Sequence, residues 1–175
     1  FDIMNPRIED IRIEDIAHSL SLINRFGGQS PIPWSVARHS LYVYYAADQL
    51  KLSPDECGWA LLHDAAEAYL GDIIRPLKKT VLFQEYHRLE SQLTALIAQT
   101  FGLSPTIPAT IKDLDNRMLY TEKIHVLKSQ DDWGWTAEPF AFDEDDCQEE
   151  DWKKTKSKFL LACCECGFKD YESYN

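Results

Sequence analysis

LLHDAAEAYLGDIIRPLK, residues 61–78, sets a His-Asp pair inside an apolar, helix-forming run and follows it with two more carboxylates and two cations. The helical reading starts upstream. Ser53 stands at an N-cap position, Pro54 at the first helical position and Glu56 three residues after the serine, a capping-box signature. Gly71 is placed to end that helix. On such a helix positions i and i+4 share a face, so Glu67 is expected one turn above His63, with Asp72 at the helix end.

Outward from this stretch the chain reads as helix after helix. Ile8, Ile11, Ile16, Leu20 and Ile23 recur at spacings of three to five, a helical stripe over Ile8 to Phe26. The segment GGQSPIPW, residues 27–34, then breaks it. Further helices are expected from about Ser35 to Leu50, Leu82 to Phe101 (closed by Gly102), Ala109 to Leu127 and Trp152 to Cys166. No stretch alternates as a strand would, and no repeat or linker appears. The expectation is a single all-α domain over residues 1–175, a length that suits one core.

The net charge of −11 argues against a nucleic-acid binder, which needs basic stripes to displace counterions from phosphates. Any anionic ligand must be small and held by local cations. No apolar run approaches the ~20 residues of a membrane span, and the first residues lack a basic-then-apolar leader pattern. Five cysteines form an odd set without a disulfide rhythm, so a reducing cytoplasm is the expected setting. The CxxC within CCECG, residues 163–167, lacks a second ligand pair and is expected to contribute buried thiols. DEDDCQEED, residues 143–151, reads as a solvated acidic loop.

A lone buried histidine is usually a hydrogen-bonded core residue, and an adjacent aspartate its partner. Two other segments weigh against that here: VARHS, residues 36–40, carries His39, and KDLDNR, residues 112–117, carries Asp115. Separate helices of a bundle can converge such side chains on one point. His39, His63, Asp64 and Asp115 would then supply two nitrogens and two carboxylates to one divalent ion such as Mn²⁺, Co²⁺, Zn²⁺, Fe²⁺ or Ni²⁺, with Mg²⁺ a further candidate.

The spacing H…HD…D around HDAAEAYLGDIIRPLK resembles the HD-domain metal-dependent phosphohydrolases. With LINRFGG and SVARHS added, the chain is similar to the bacterial 5′-deoxynucleotidases and the compact phage dATP triphosphohydrolases over residues 8–127. The resemblance implies an HD-domain helical bundle in which His39, His63, Asp64 and Asp115 hold the metal. Glu67 and Asp72 would act as the catalytic carboxylates. Arg25, Lys78 and Lys79 would contact phosphate, and Phe26 would lie near the nucleoside. Trp34 is a further aromatic able to stack on a base, and Gly27 and Gly28 would leave the base pocket roomy. Arg38 departs from the family pattern, in which glutamate commonly precedes the first histidine. The absence of extra metal-binding histidines, His87 apart, points to a mononuclear site. The resemblance also implies a small-molecule deoxynucleotide substrate and a homo-oligomer, the alternatives being an HD hydrolase of a cyclic dinucleotide or alarmone, or a non-catalytic nucleotide-binding HD module.

Overall fold

In a computed structural model, which describes residues 1–143 and 145–168, the chain folds as a bundle of α-helices with no strand among the described residues. Among the described residues eight α-helices form: α1 (Ile13–Leu22), α2 (Val36–Gln49), α3 (Pro54–Leu62), α4 (Glu67–Leu70), α5 (Arg75–Lys78), α6 (Gln84–Phe101), α7 (Ala109–His125) and α8 (Trp152–Glu165). Helix α2 is the centre of the bundle and packs against α1, α3, α7 and α8. Trp59, Leu61, Leu41, Ile16, Leu20, Met118 and Phe159 are almost completely buried between them. No described helix is long and apolar enough to cross a membrane.

The capping box at the start of α3 forms as expected, with the Ser53 side chain accepting the Glu56 N–H and the Glu56 carboxylate accepting the Ser53 N–H. The end of that helix differs. α3 stops at Leu62, and residues 63–66 form a turn before the short helix α4. Here the His63 Nδ1–H takes the Ala60 carbonyl at 2.9 Å, an acceptor that a continuing α-helix would give to the backbone. Three-residue spacings then take over, Ala65 N–H to Leu62 O and Glu67 N–H to Asp64 O.

The expected first helix is also divided. A 3₁₀ turn spans Ile8–Asp10, and Ile11 and Arg12 are extended before α1. Ile11, on this extended link, and Ile13, the first residue of α1, two positions apart, are both buried, as strand-like periodicity through Arg12 places them. At the other end α1 gives way after Leu22 because the next residues pair with the chain entering α2. Asn24 and Ser35 form an isolated antiparallel bridge, the Arg25 N–H donates to Trp34 O and the Val36 N–H to Ile23 O. This pinch sets Arg25 and Trp34 side by side at the top of the bundle.

The acidic segment is more than a solvated loop. Arg38 donates to the backbone carbonyls of Gln148 (2.6 Å) and Asp146 (2.9 Å), while Tyr42 donates to the Asp146 carboxylate. Arg38 thus straps this segment to α2. At the far end of the molecule Cys163 is buried, Cys166 is half-buried and Cys164 faces outward, so only part of the CxxC segment matches the expected buried thiols.

Candidate metal centre

Three segments bring the site together. α2 supplies His39, the turn after α3 supplies His63 and Asp64, and α7 supplies Asp115. His39 Nε2 lies 3.2 Å from His63 Nε2, 3.2 Å from Asp115 Oδ1 and 3.9 Å from Asp64 Oδ2; His63 Nε2 lies 3.3 Å from Asp64 Oδ2 and 4.0 Å from Asp115 Oδ1. The breaking of the helix at Leu62 is what lets two sequence neighbours, His63 and Asp64, aim at the same point.

The hydrogen-bond network assigns the tautomers. His39 Nδ1 faces the Glu122 carboxylate at 2.7 Å and His63 Nδ1 faces the Ala60 carbonyl, and both partners only accept. Each ring therefore carries a proton on Nδ1 and turns its Nε2 to the centre. Two imidazole nitrogens and two carboxylate oxygens converge. Among the described residues, apart from a 3.4 Å approach of Arg25 Nη1 to Asp64 Oδ2, no other side-chain donor reaches these four atoms.

Such a constellation demands positive charge. Burial works to depress both imidazoles, but the surrounding carboxylates prevail: His39 is raised and His63 is pushed up to about 9, chiefly by Asp64. Burial likewise works to raise Asp64 and Asp115, yet the histidines hold both below the usual carboxylate range. A cation satisfies all four at once, and His39, His63 and Asp64 can hold a metal ion, their ligand atoms lying within 4.8 Å of one another. Ligands about 2.1 Å from a common ion stand about 3.0–3.4 Å apart at tetrahedral or octahedral angles, close to the three shortest separations here.

Glu122, which the sequence reading overlooked, supports this centre from behind. It is fully buried and accepts from His39 Nδ1, from Trp34 Nε1 (2.8 Å) and from Arg25 Nε (3.1 Å). Metal-binding histidines commonly donate their second N–H to such a carboxylate. The signal was present in the sequence, since Glu122 lies seven residues after Asp115 and hence on the same face of α7.

Two cavities meet at the cluster and share Asp64, Glu67 and Asp115 in their walls. One, of about 440 Å³, runs between α6 and α7 past Ser91, Thr94, Thr106 and Ile107. The other, of about 630 Å³, contains Arg25, Phe26, Asp72, Arg75, Lys78 and Lys79, together with Leu119, Trp133 and Trp135. All of the residues singled out for phosphate contact therefore line one cavity. Phe26 joins them at φ +59, a strained backbone for a non-glycine residue.

Trp34 does not. It is fully buried, outside both cavity walls, with its indole N–H spent on Glu122, so it supports the site rather than stacking on a ligand. Gly27 and Gly28 also lie outside these walls. His87, on the rim, contacts the Lys78 carbonyl and Glu90 and stays out of the cluster.

Glu67 is nearly buried, with Oε1 2.7 Å from Lys78 Nζ and Oε2 without a partner. Burial pushes its carboxyl up to about 8, with Asp64 adding to the rise and Lys78 opposing it. Lys78 is also held by Glu90 at 3.0 Å. Asp72 is half-buried and raised by that burial, with Arg25 opposing.

No family model matches the chain. It is 41% identical over 116 residues to the uncharacterized protein YfdR of Escherichia coli K12, an alignment covering 66% of this chain and 61% of that protein. An uncharacterized protein of Rhodobacter capsulatus is also 41% identical over 116 residues, covering 63% of this chain and 58% of its own length. The chain thus spans about three fifths of the length of these curated relatives.

Proposed function

We propose that the protein is an HD-type metal-dependent phosphohydrolase acting on 5′-deoxyribonucleotides, releasing deoxynucleoside with phosphate or with triphosphate. The observation that carries this reading is the convergence of four electron-pair donors at the end of a cation-lined cavity. His39, His63, Asp64 and Asp115 would hold one divalent ion. Bound there, such an ion polarises a phosphoryl oxygen and lowers the pKa of a water molecule.

The chain's own groups take the other roles. Arg25, fixed by Glu122 and Asp64, and Lys78, fixed by Glu67 and Glu90, place positive charge where phosphoryl oxygens gain negative charge in the transition state. Glu67 Oε2, buried and unpartnered, is positioned to hydrogen-bond the attacking water or the departing 5′ oxygen. Asp72, farther along the same wall, would orient the sugar end or relay a proton to solvent.

The test is a panel of deoxy- and ribonucleoside mono- and triphosphates with Mn²⁺ or Co²⁺, with Asp64→Ala as control. Metal-dependent phosphate from monophosphates identifies a nucleotidase; intact triphosphate identifies a triphosphohydrolase. Release that persists in Asp64→Ala, or no release from any of them, refutes the proposal. Glu67→Gln should retain metal and lose turnover. A homo-oligomer is proposed on the resemblance, and light scattering at the monomer mass overturns it.

A further inference from the structure

The lining of the larger cavity is of two chemical kinds: Asp64, Asp115, Arg25 and Lys78 are charged, while Leu119, Trp133 and Trp135 are apolar or aromatic. We infer that Trp133 and Trp135, on the loop following α7, form the wall against which the nucleobase of the substrate stacks, an assignment that rests on the nucleotide reading of this cavity.

A ligand filling this space meets the cations with an anionic group and the indoles with a flat apolar surface. At about 630 Å³ the space lies within the usual range for small-molecule sites. The two indoles are only half-buried, so each leaves ring surface free to meet a ligand. They are nevertheless held in place. Their centroids lie 6.4 Å apart, Tyr120 on α7 packs 5.6 Å from Trp135, and Lys123 Nζ sits 5.3 Å from the Trp133 ring. The loop itself is fixed by the Asp132 carboxylate, which accepts the Gly134 N–H at 2.7 Å.

The alternative is that these rings merely shield Leu119 and Tyr120. A shield would have no preference for a base, whereas a stacking wall gains an amount worth roughly 5- to 150-fold in binding. Aromatic faces accept any base, so this wall sets nucleotide against base-free phosphate more strongly than one base against another. Trp135 also borders the adjoining groove with Arg75, Lys79 and Arg117, where a base edge extending past the indole would meet polar groups.

The experiment compares deoxyadenosine 5′-monophosphate with 2-deoxyribose 5-phosphate, by equilibrium dialysis and by the ratio of their kcat/KM values. Trp133→Ala/Trp135→Ala should lower the preference for the nucleotide by tenfold or more, and Trp135→Phe should restore most of the loss attributable to that position. Circular dichroism melting confirms that each variant is folded. Equal nucleotide affinity in the double variant and the parent overturns the assignment, as does a parent that binds no nucleotide. If neither compound is hydrolysed by the parent, the monophosphate arm of the proposed function fails, and dialysis still decides the role of the tryptophans.

Discussion

Replacing Glu122 with glutamine isolates the buried carboxylate on which the centre leans. The new side chain has nearly the same shape, and its oxygen can keep the bonds from His39 and Trp34 that Oε1 accepts. Its amide nitrogen then occupies the Oε2 position, opposite the Arg25 Nε–H at 3.1 Å, so that two donors face each other in a site closed to water. Losing a hydrogen bond to a charged group costs about 1.5–3 kcal/mol, and the unmatched donor places this case near the top of that range, about 2–3 kcal/mol. For a chain of this size each kcal/mol moves the melting temperature by about 2–4 °C, giving a fall of about 4–12 °C. Glu122→Ala strands Arg25, Trp34 and His39 together; about 3–5 kcal/mol gives about 6–20 °C. Differential scanning calorimetry on metal-free protein reads both. A Glu122→Gln midpoint within 1 °C of the parent, or an alanine variant no worse than the glutamine one, refutes the reasoning. In the same glutamine variant Mn²⁺ affinity should fall roughly 10- to 100-fold by titration calorimetry.

Other outcomes follow from the same geometry. Saturating Mn²⁺ or Co²⁺, at about a hundred times its dissociation constant, should stabilise the parent by about 2.7 kcal/mol and raise its melting temperature by about 5–11 °C. Asp64→Ala should abolish that rise, and an equal rise in the variant rules out the assigned centre. Arg38→Ala removes both bonds to the Asp146 and Gln148 carbonyls; faster limited proteolysis within residues 143–151 is expected, and unchanged cleavage contradicts the strap. In Gly58→Ala the new methyl would meet Leu103 Cδ2 at 2.7 Å and Phe168 Cζ at 2.9 Å. Such overpacking costs about 1–3 kcal/mol, read as a lower urea midpoint.

The all-α character was legible because hydrophobic spacing and caps agree over long segments: α6, α7 and α8 lie within a few residues of their expected bounds. The division of the first and third expected helices was not. Ile8, Ile11 and Ile16 fit a helical stripe whether or not the backbone between them is helical, and nothing in LLHDAA announces that the His63 side chain will claim the Ala60 carbonyl. At the site, local motifs exposed His39, His63, Asp64 and Asp115 as candidates. Glu122 escaped because a single acid on a helix usually meets water, and only tertiary packing reveals its three donors. Trp133 and Trp135 escaped for a related reason: WGW in a polar loop carries no sign of which surface it covers. Trp34 misled, since adjacency to Arg25 in space sends it inward to Glu122.

One wall of the larger cavity is assembled from pieces. α4 and α5 have four residues each, too short to persist as helices by themselves. The chain between them is fastened at a few points, Tyr86 to the Gly71 carbonyl and Lys78 to Glu67 and Glu90. This stretch therefore acts as upholstery on a rigid frame: its sequence can vary in length and composition at the pocket while α2, α3 and α7 keep the cluster in place, and selection for a new ligand would find its freedom there.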